Sequence, residues 1–269
     1  MFAQHIQGPY RVYGYLTDVD VQYHQPFHRV IDGPDVTHAE KLDALATMIL
    51  ADADDEDWLL FIDGDAFPVM PLEQRLAPLL TDYPLVAIRR VENLGEKHPH
   101  PSFCLTTVRF WKEIHGTWDP GYKWINNLNL TETDVGGALL GALTRRNIAW
   151  YPLLRSNKRD VLPVYFGIYG DIVYHHGAGF RGAPVRQLLF DEGVFRLYRR
   201  LDSRILNLLT PRKYQQVIRN SVVHPEGRKK RRIIRRVRDV NARAIDALFR
   251  NPQAFLNALR TGDRLPVLE

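Results

Sequence analysis

One short run of residues restricts the fold more than any other. Trp58-Leu59-Leu60-Phe61-Ile62 is continuously apolar and is stopped by Asp63-Gly64-Asp65. Such a run is too short for a buried helix and fits a strand covered on both faces. Its surroundings agree. Tyr10 to Leu16 and His28 to Asp32 are rich in β-branched and aromatic residues and predict strands, the second closed by Gly33-Pro34. Thr37 and Glu40 stand at capping-box spacing, and Leu42, Leu45 and Ile49 then recur at helical intervals. Pro71 opens a further helix and Leu85 to Ile88 reads as the next strand. Strands alternating with helices predict an α/β fold built of βαβ units around a mostly parallel sheet.

Beyond residue 100 the pattern predicts a strand over 102–108, a short helix over 109–114, a helix from Asp134 to about Asn147, and strands over 148–153 and 171–175. From Pro184 onward, Leu188, Leu189, Phe195 and Leu197 give one helical apolar face. The expected organisation is an α/β domain over 1–183 and a helical extension over 184–269. Hydrophobic residues make up 45% of the 269, enough for a sizeable core. No apolar run reaches the roughly 18–20 residues of a membrane span. The start lacks the basic-then-apolar layout of a secretory signal, and the single cysteine, Cys104, allows neither an internal disulfide nor a cysteine-rich metal site. A cytoplasmic location is the expectation.

The formal charge of +5 is unevenly spread: residues 228–238 hold eight basic side chains and no acid, so the rest of the chain is mildly acidic. This disfavours a body-wide nucleic-acid surface. The run could bind nucleic acid, anionic lipid or nothing; on a helix, Ile233, Ile234 and Val237 would share a face, which suits peripheral contact with a membrane or a plain solvated helix.

Four Asp-x-Asp triplets occur, at 18/20, 52/54, 55/57 and 63/65. Only the last sits directly at the end of a buried strand, the edge of an α/β sheet where ligands bind. Two carboxylates there, with Gly64 permitting close backbone approach, suit a hard divalent cation on phosphate oxygens; a polar turn is the plain alternative.

Phe61-Ile62-Asp63-Gly64-Asp65-Ala66-Phe67-Pro68 resembles the metal-binding motif of GT-A-fold glycosyltransferases, and His38-Ala39-Glu40-Lys41-Leu42 resembles the helix preceding it. The likeness extends over about residues 10–180 and is specific only near the motif. It implies a GT-A-like fold and transfer of a sugar from a nucleotide-sugar donor to a glycan or lipid-linked acceptor, as in bacterial cell-envelope polysaccharide synthesis. It places Asp63, Asp65 and Lys41 at the donor and Asp63 and Asp65 on Mn or Mg. His175, in Asp171-Ile-Val-Tyr-His175-His176-Gly177, becomes the third metal contact, preferred over His176. Asp134, in Thr131-Glu132-Thr133-Asp134, becomes the general base. By its residue type Asp134 equally suits an N-cap. Trp118, Tyr122 and Trp124 are candidate sugar platforms or packing residues. Only 62 residues precede Asp63, where such a domain carries a further strand–helix unit for the nucleotide base. Weak nucleotide binding is therefore expected, and a non-catalytic glycosyltransferase-like binding module is the alternative reading.

Overall fold

The computed structural model describes residues 2–127, 129–159, 166–177 and 224–265. The chain divides into two compact units, Met1–Ser156 with Ile168–His175, and Asn157–Gly167 with His176–Glu269. The expected boundary between 183 and 184 and the apolar face at 188–197 lie outside the described residues.

The first unit is mixed α/β. In chain order it runs α1 (Phe2–His5), β1 (Tyr13–Leu16), β2 (Arg29–Asp32), α2 (His38–Leu50), β3 (Trp58–Ile62), β4 (Ala66–Pro68), α3 (Leu72–Asp82), β5 (Leu85–Ile88) and β6 (His100–Thr107). There follow α4 (Val108–Ile114), β7 (Trp124–Ile125), β8 (Thr131–Glu132), α5 (Gly137–Arg145), β9 (Tyr151–Leu153), β10 (Gly167–Tyr169) and β11 (Val173–His175). The capping box at Thr37 and Glu40 is formed: Thr37 Oγ1 accepts from the Glu40 amide and the Glu40 carboxylate accepts from the Thr37 amide.

The sheets are small and mixed, which corrects the expectation of a mostly parallel sheet. The four-stranded sheet has the order β3-β6-β5-β9, with β3 and β5 both antiparallel to β6 and only β5–β9 parallel. The reason is β6, which inserts between β3 and β5 with reversed direction. Apolar content alone does not reveal strand direction. β1 and β2 form a separate parallel pair, and β10-β11-β4 a third sheet in which β11 runs antiparallel to β4.

Alternation along the strands of the four-stranded sheet feeds two cores. Leu59, Phe61, Leu85, Ala87 and Cys104 face α2, α4 and α5, whereas Val86, Ile88, Phe103 and Leu105 face α3 and the β10-β11-β4 sheet. β3 is therefore covered on both faces as expected, except at Trp58, which is exposed. Trp118 is fully buried against Phe61 and Trp111, so it is a core residue rather than a sugar platform.

In the second unit the described C-terminal residues form α6 (His224–Arg250) and α7 (Pro252–Thr261). Ile233 and Val237 of α6 are 8% and 4% exposed. Ile234, the third member of the expected apolar stripe, is only partly buried. Among the described residues no helix is long and apolar enough to cross a membrane.

Candidate metal centre

The site grows from two strand ends in the first unit. Asp63 leaves the carboxyl end of β3, and a tight turn, with the Ala66 amide donating to the Asp63 carbonyl over 3.0 Å, brings Asp65 round before β4. β11 pairs with β4 so that His175 lies opposite Ala66. This register sets the imidazole beside Asp65, with Nε2 3.5 Å from Oδ1. One ligand atom from each of Asp63, Asp65 and His175 lies within 4.8 Å of the others. The expected trio is therefore brought together by the turn after β3 and the β4–β11 register.

His38, the first residue of α2, adds a fourth group: its Nε2 lies 3.0 Å from Asp63 Oδ1. Burial by itself pushes the Asp63 carboxyl up; the hydrogen bond and charge of His38, with His175 and Arg90, outweigh it and leave the pKa below the ordinary carboxylate value. Asp63 is held as an anion, the form a cation needs. The sequence quoted His38 but gave it no role; its place at the helix start, just after the Thr37 cap, was the signal available.

Behind the trio lies a buried polar network. Arg90 forks onto Glu96, with Nε and one terminal nitrogen each 2.8 Å from a carboxylate oxygen, and Asn93 bonds the same carboxylate. Burial opposes the Arg90 charge, but Glu96 and Asp134 outweigh it and raise its pKa. The Tyr169 hydroxyl donates to Glu92 over 2.6 Å. The rings of His100 and His175 are 5.7 Å apart. Burial drives the His100 imidazole well below its ordinary value, with Arg90 adding to the effect.

Lys41, Asp134 and His176 have the following surroundings. The Lys41 ammonium lies 2.7 Å from Asp35, 3.4 Å from Thr17 and 5.6 Å over the Tyr15 ring, at the carboxyl end of β1. Asp134 is exposed and is not the cap of α5: Gly136 is, in the left-handed conformation, while Asp134 Oδ1 accepts from the Val135 amide over 2.9 Å. Its charge acts on Arg90, Glu96 and His98. His176 belongs to the second unit, where its Nε2 meets Asn241 at 2.5 Å. A cavity of about 400 Å³ lined by Arg75, Tyr151, Arg155 and Gly170, among others, includes none of the trio.

Two carboxylates and one imidazole, all largely buried, suit a divalent ion of the Mn type, for which mixed oxygen and nitrogen ligands are acceptable. Comparison of the chain with protein-family models, with curated proteins and with solved structures yields no match.

Proposed function

We propose that the first unit is a GT-A-like, metal-dependent glycosyltransferase that takes a nucleotide-sugar donor and a glycan or lipid-linked acceptor. One observation carries this reading: Asp63, Asp65 and His175 converge within 4.8 Å at the carboxyl ends of β3 and β11. Asp65 and His175 act as ligands to Mn or Mg, and Asp63 completes the set while His38 fixes its orientation. The ion, when bound, neutralises charge building on the diphosphate leaving group. Asp134 takes the acceptor hydroxyl proton on Oδ2, since Oδ1 already accepts from Val135. Lys41 is the donor-facing cation of this reading and exchanges Asp35 for a phosphate oxygen.

Calorimetry with Mn tests the centre. Asp65→Asn removes a charged oxygen ligand and is expected to lower Mn affinity at least about tenfold. Unchanged affinity in that variant sinks the assignment. UDP, GDP and CDP titrated in the presence of Mn then separate enzyme from binding module. Selective binding of one nucleotide, even weak, supports transfer, whereas Mn binding with no nucleotide response favours the non-catalytic alternative.

A further inference from the structure

Just ahead of β6 the chain reads Glu96-Lys97-His98-Pro99-His100, with an acid and two imidazoles at every second position. In extended chain that spacing puts all three on one side. Here one ligand atom from each lies within 4.8 Å of the others. All three side chains are buried, at 7%, 0% and 9% exposure. None belongs to the Asp63–Asp65–His175 trio.

His98 is the decisive residue. Its ring is wholly enclosed, yet neither Nδ1 nor Nε2 has a hydrogen-bond partner. Leaving a buried polar group unsatisfied costs on the order of 1–3 kcal/mol, so such groups in a settled fold call for a partner. The ring plane is fixed from outside: Trp124 stacks on it at 4.8 Å, and Gly136 packs so closely that an added Cβ would lie 3.4 Å from His98 Cδ2. The other two members are also oriented by neighbours. Arg90 and Asn93 hold the Glu96 carboxylate, and His100 Nδ1 lies 2.7 Å from Ser102 Oγ. With Nδ1–H donating to that hydroxyl, the His100 Nε2 lone pair is open; the competing tautomer accepts from the Ser102 amide at 3.1 Å. Outer partners that orient ligands are the usual surroundings of a protein-bound metal; a metal on Glu96 would use the second lone pair of an oxygen that already accepts from Arg90.

Charge and donor type narrow the ion. Arg90 opposes a cation, but it interacts with three carboxylates, Glu92, Glu96 and Asp134. Two imidazoles and a carboxylate suit zinc or a zinc-like transition ion better than Mg, which prefers oxygen ligands.

We propose that Glu96, His98 and His100 form a second metal site, selective for zinc-like transition ions and distinct from the Asp63–Asp65–His175 centre. It stands independently of the glycosyltransferase reading. The test uses the full-length, chelator-treated protein carrying Asp65→Asn, so that the first centre is weakened. Zinc is titrated against a chromophoric chelator, and cobalt is added separately to report ligand type by its visible spectrum. The expected result is one zinc equivalent and a cobalt spectrum marking nitrogen ligands in four-coordinate geometry. Adding His98→Phe, which keeps a ring on Trp124 but no nitrogen, lowers zinc affinity at least about 100-fold. Should that variant misfold by circular dichroism, the isosteric Glu96→Gln variant reads the same loss. Zinc affinity unchanged by both substitutions, or no zinc bound in the Asp65→Asn protein, overturns the proposal. Mn binding by the His98→Phe protein with Asp65 intact reports on the first centre separately.

Discussion

At the scale of single residues, His38 and Gly136 shape the surroundings of the two clusters, His38 beside Asp63 and Gly136 beside His98. The 3.0 Å contact from His38 fixes which way Asp63 presents its oxygens. Removing such an outer partner commonly costs 10–100-fold in metal affinity. His38→Ala is therefore expected to weaken Mn binding by about that factor, and His38→Gln, which retains a donor, to restore part of it. Calorimetry on both variants checks this, and an alanine variant that binds like the parent refutes it. Gly136 has φ +91°, and a Cβ there would lie 2.6 Å from the Pro99 carbonyl oxygen. Gly136→Ala is expected to cost about 1–3 kcal/mol through forced left-handed backbone, with the backbone clash added. A thermal midpoint equal to that of the parent would count against this. The trio itself was legible because the Asp-Gly-Asp turn follows an apolar strand and because His175 ends another. The network behind it was not. Arg90, Glu96 and His98 look like ordinary loop residues until the fold buries them, although the alternation of Glu96, His98 and His100 was a signal in plain view.

At the scale of elements, apolar runs and caps located most strands and helices within a few residues, because burial and capping are local effects. Strand direction was not legible: β6 runs against both neighbours, and that depends on how the chain returns after β5. Of the two roles open to Asp134, base or cap, the cap falls away because the left-handed Gly136 starts α5 instead. The β1–β2 pair illustrates how elements are tied by charge. Asp52, just past α2, accepts from the Tyr13 hydroxyl and pairs with Arg11, His28 and Arg29. The Tyr13 bond first, then Arg29 and Arg11, hold its carboxyl below the ordinary value, although burial works the other way. A depressed folded-state pKa means that the unfolded chain takes up protons first as acid is added. The resulting stability is complete above about pH 4 and is lost as pH falls through the folded value. Urea midpoints of the parent and Asp52→Asn proteins should therefore differ near pH 6 and converge toward pH 2.5. A difference that stays constant across that range would show that Asp52 contributes nothing through its charge.

At the scale of the whole molecule, the two units are interleaved along the chain. Residues 157–167 join the C-terminal region although they fall between β9 and β10. The amides of Lys158 and Arg159 donate to the Leu259 carbonyl at 2.9 and 3.3 Å, and the Arg159 guanidinium reaches the Asp263 carbonyl at 2.6 Å. Phe166 stacks on His176 and packs near Phe255. The sequence concealed this, because nothing in residues 157–167 names a partner about 100 positions away. Ending the chain after Gly177 would strip Phe255, Leu259 and Asp263 and leave Phe166 with His176 alone of these partners. The fragment is expected to melt lower than the whole protein and to bind a hydrophobic dye, both read in one thermal scan. An unchanged midpoint would show that the units do not depend on each other. For engineering, the C-terminal region is not a cassette. Because the chain passes between the units three times, grafting it from another protein needs three matched junctions, and a chimera spliced at one point would inherit half of a broken pair.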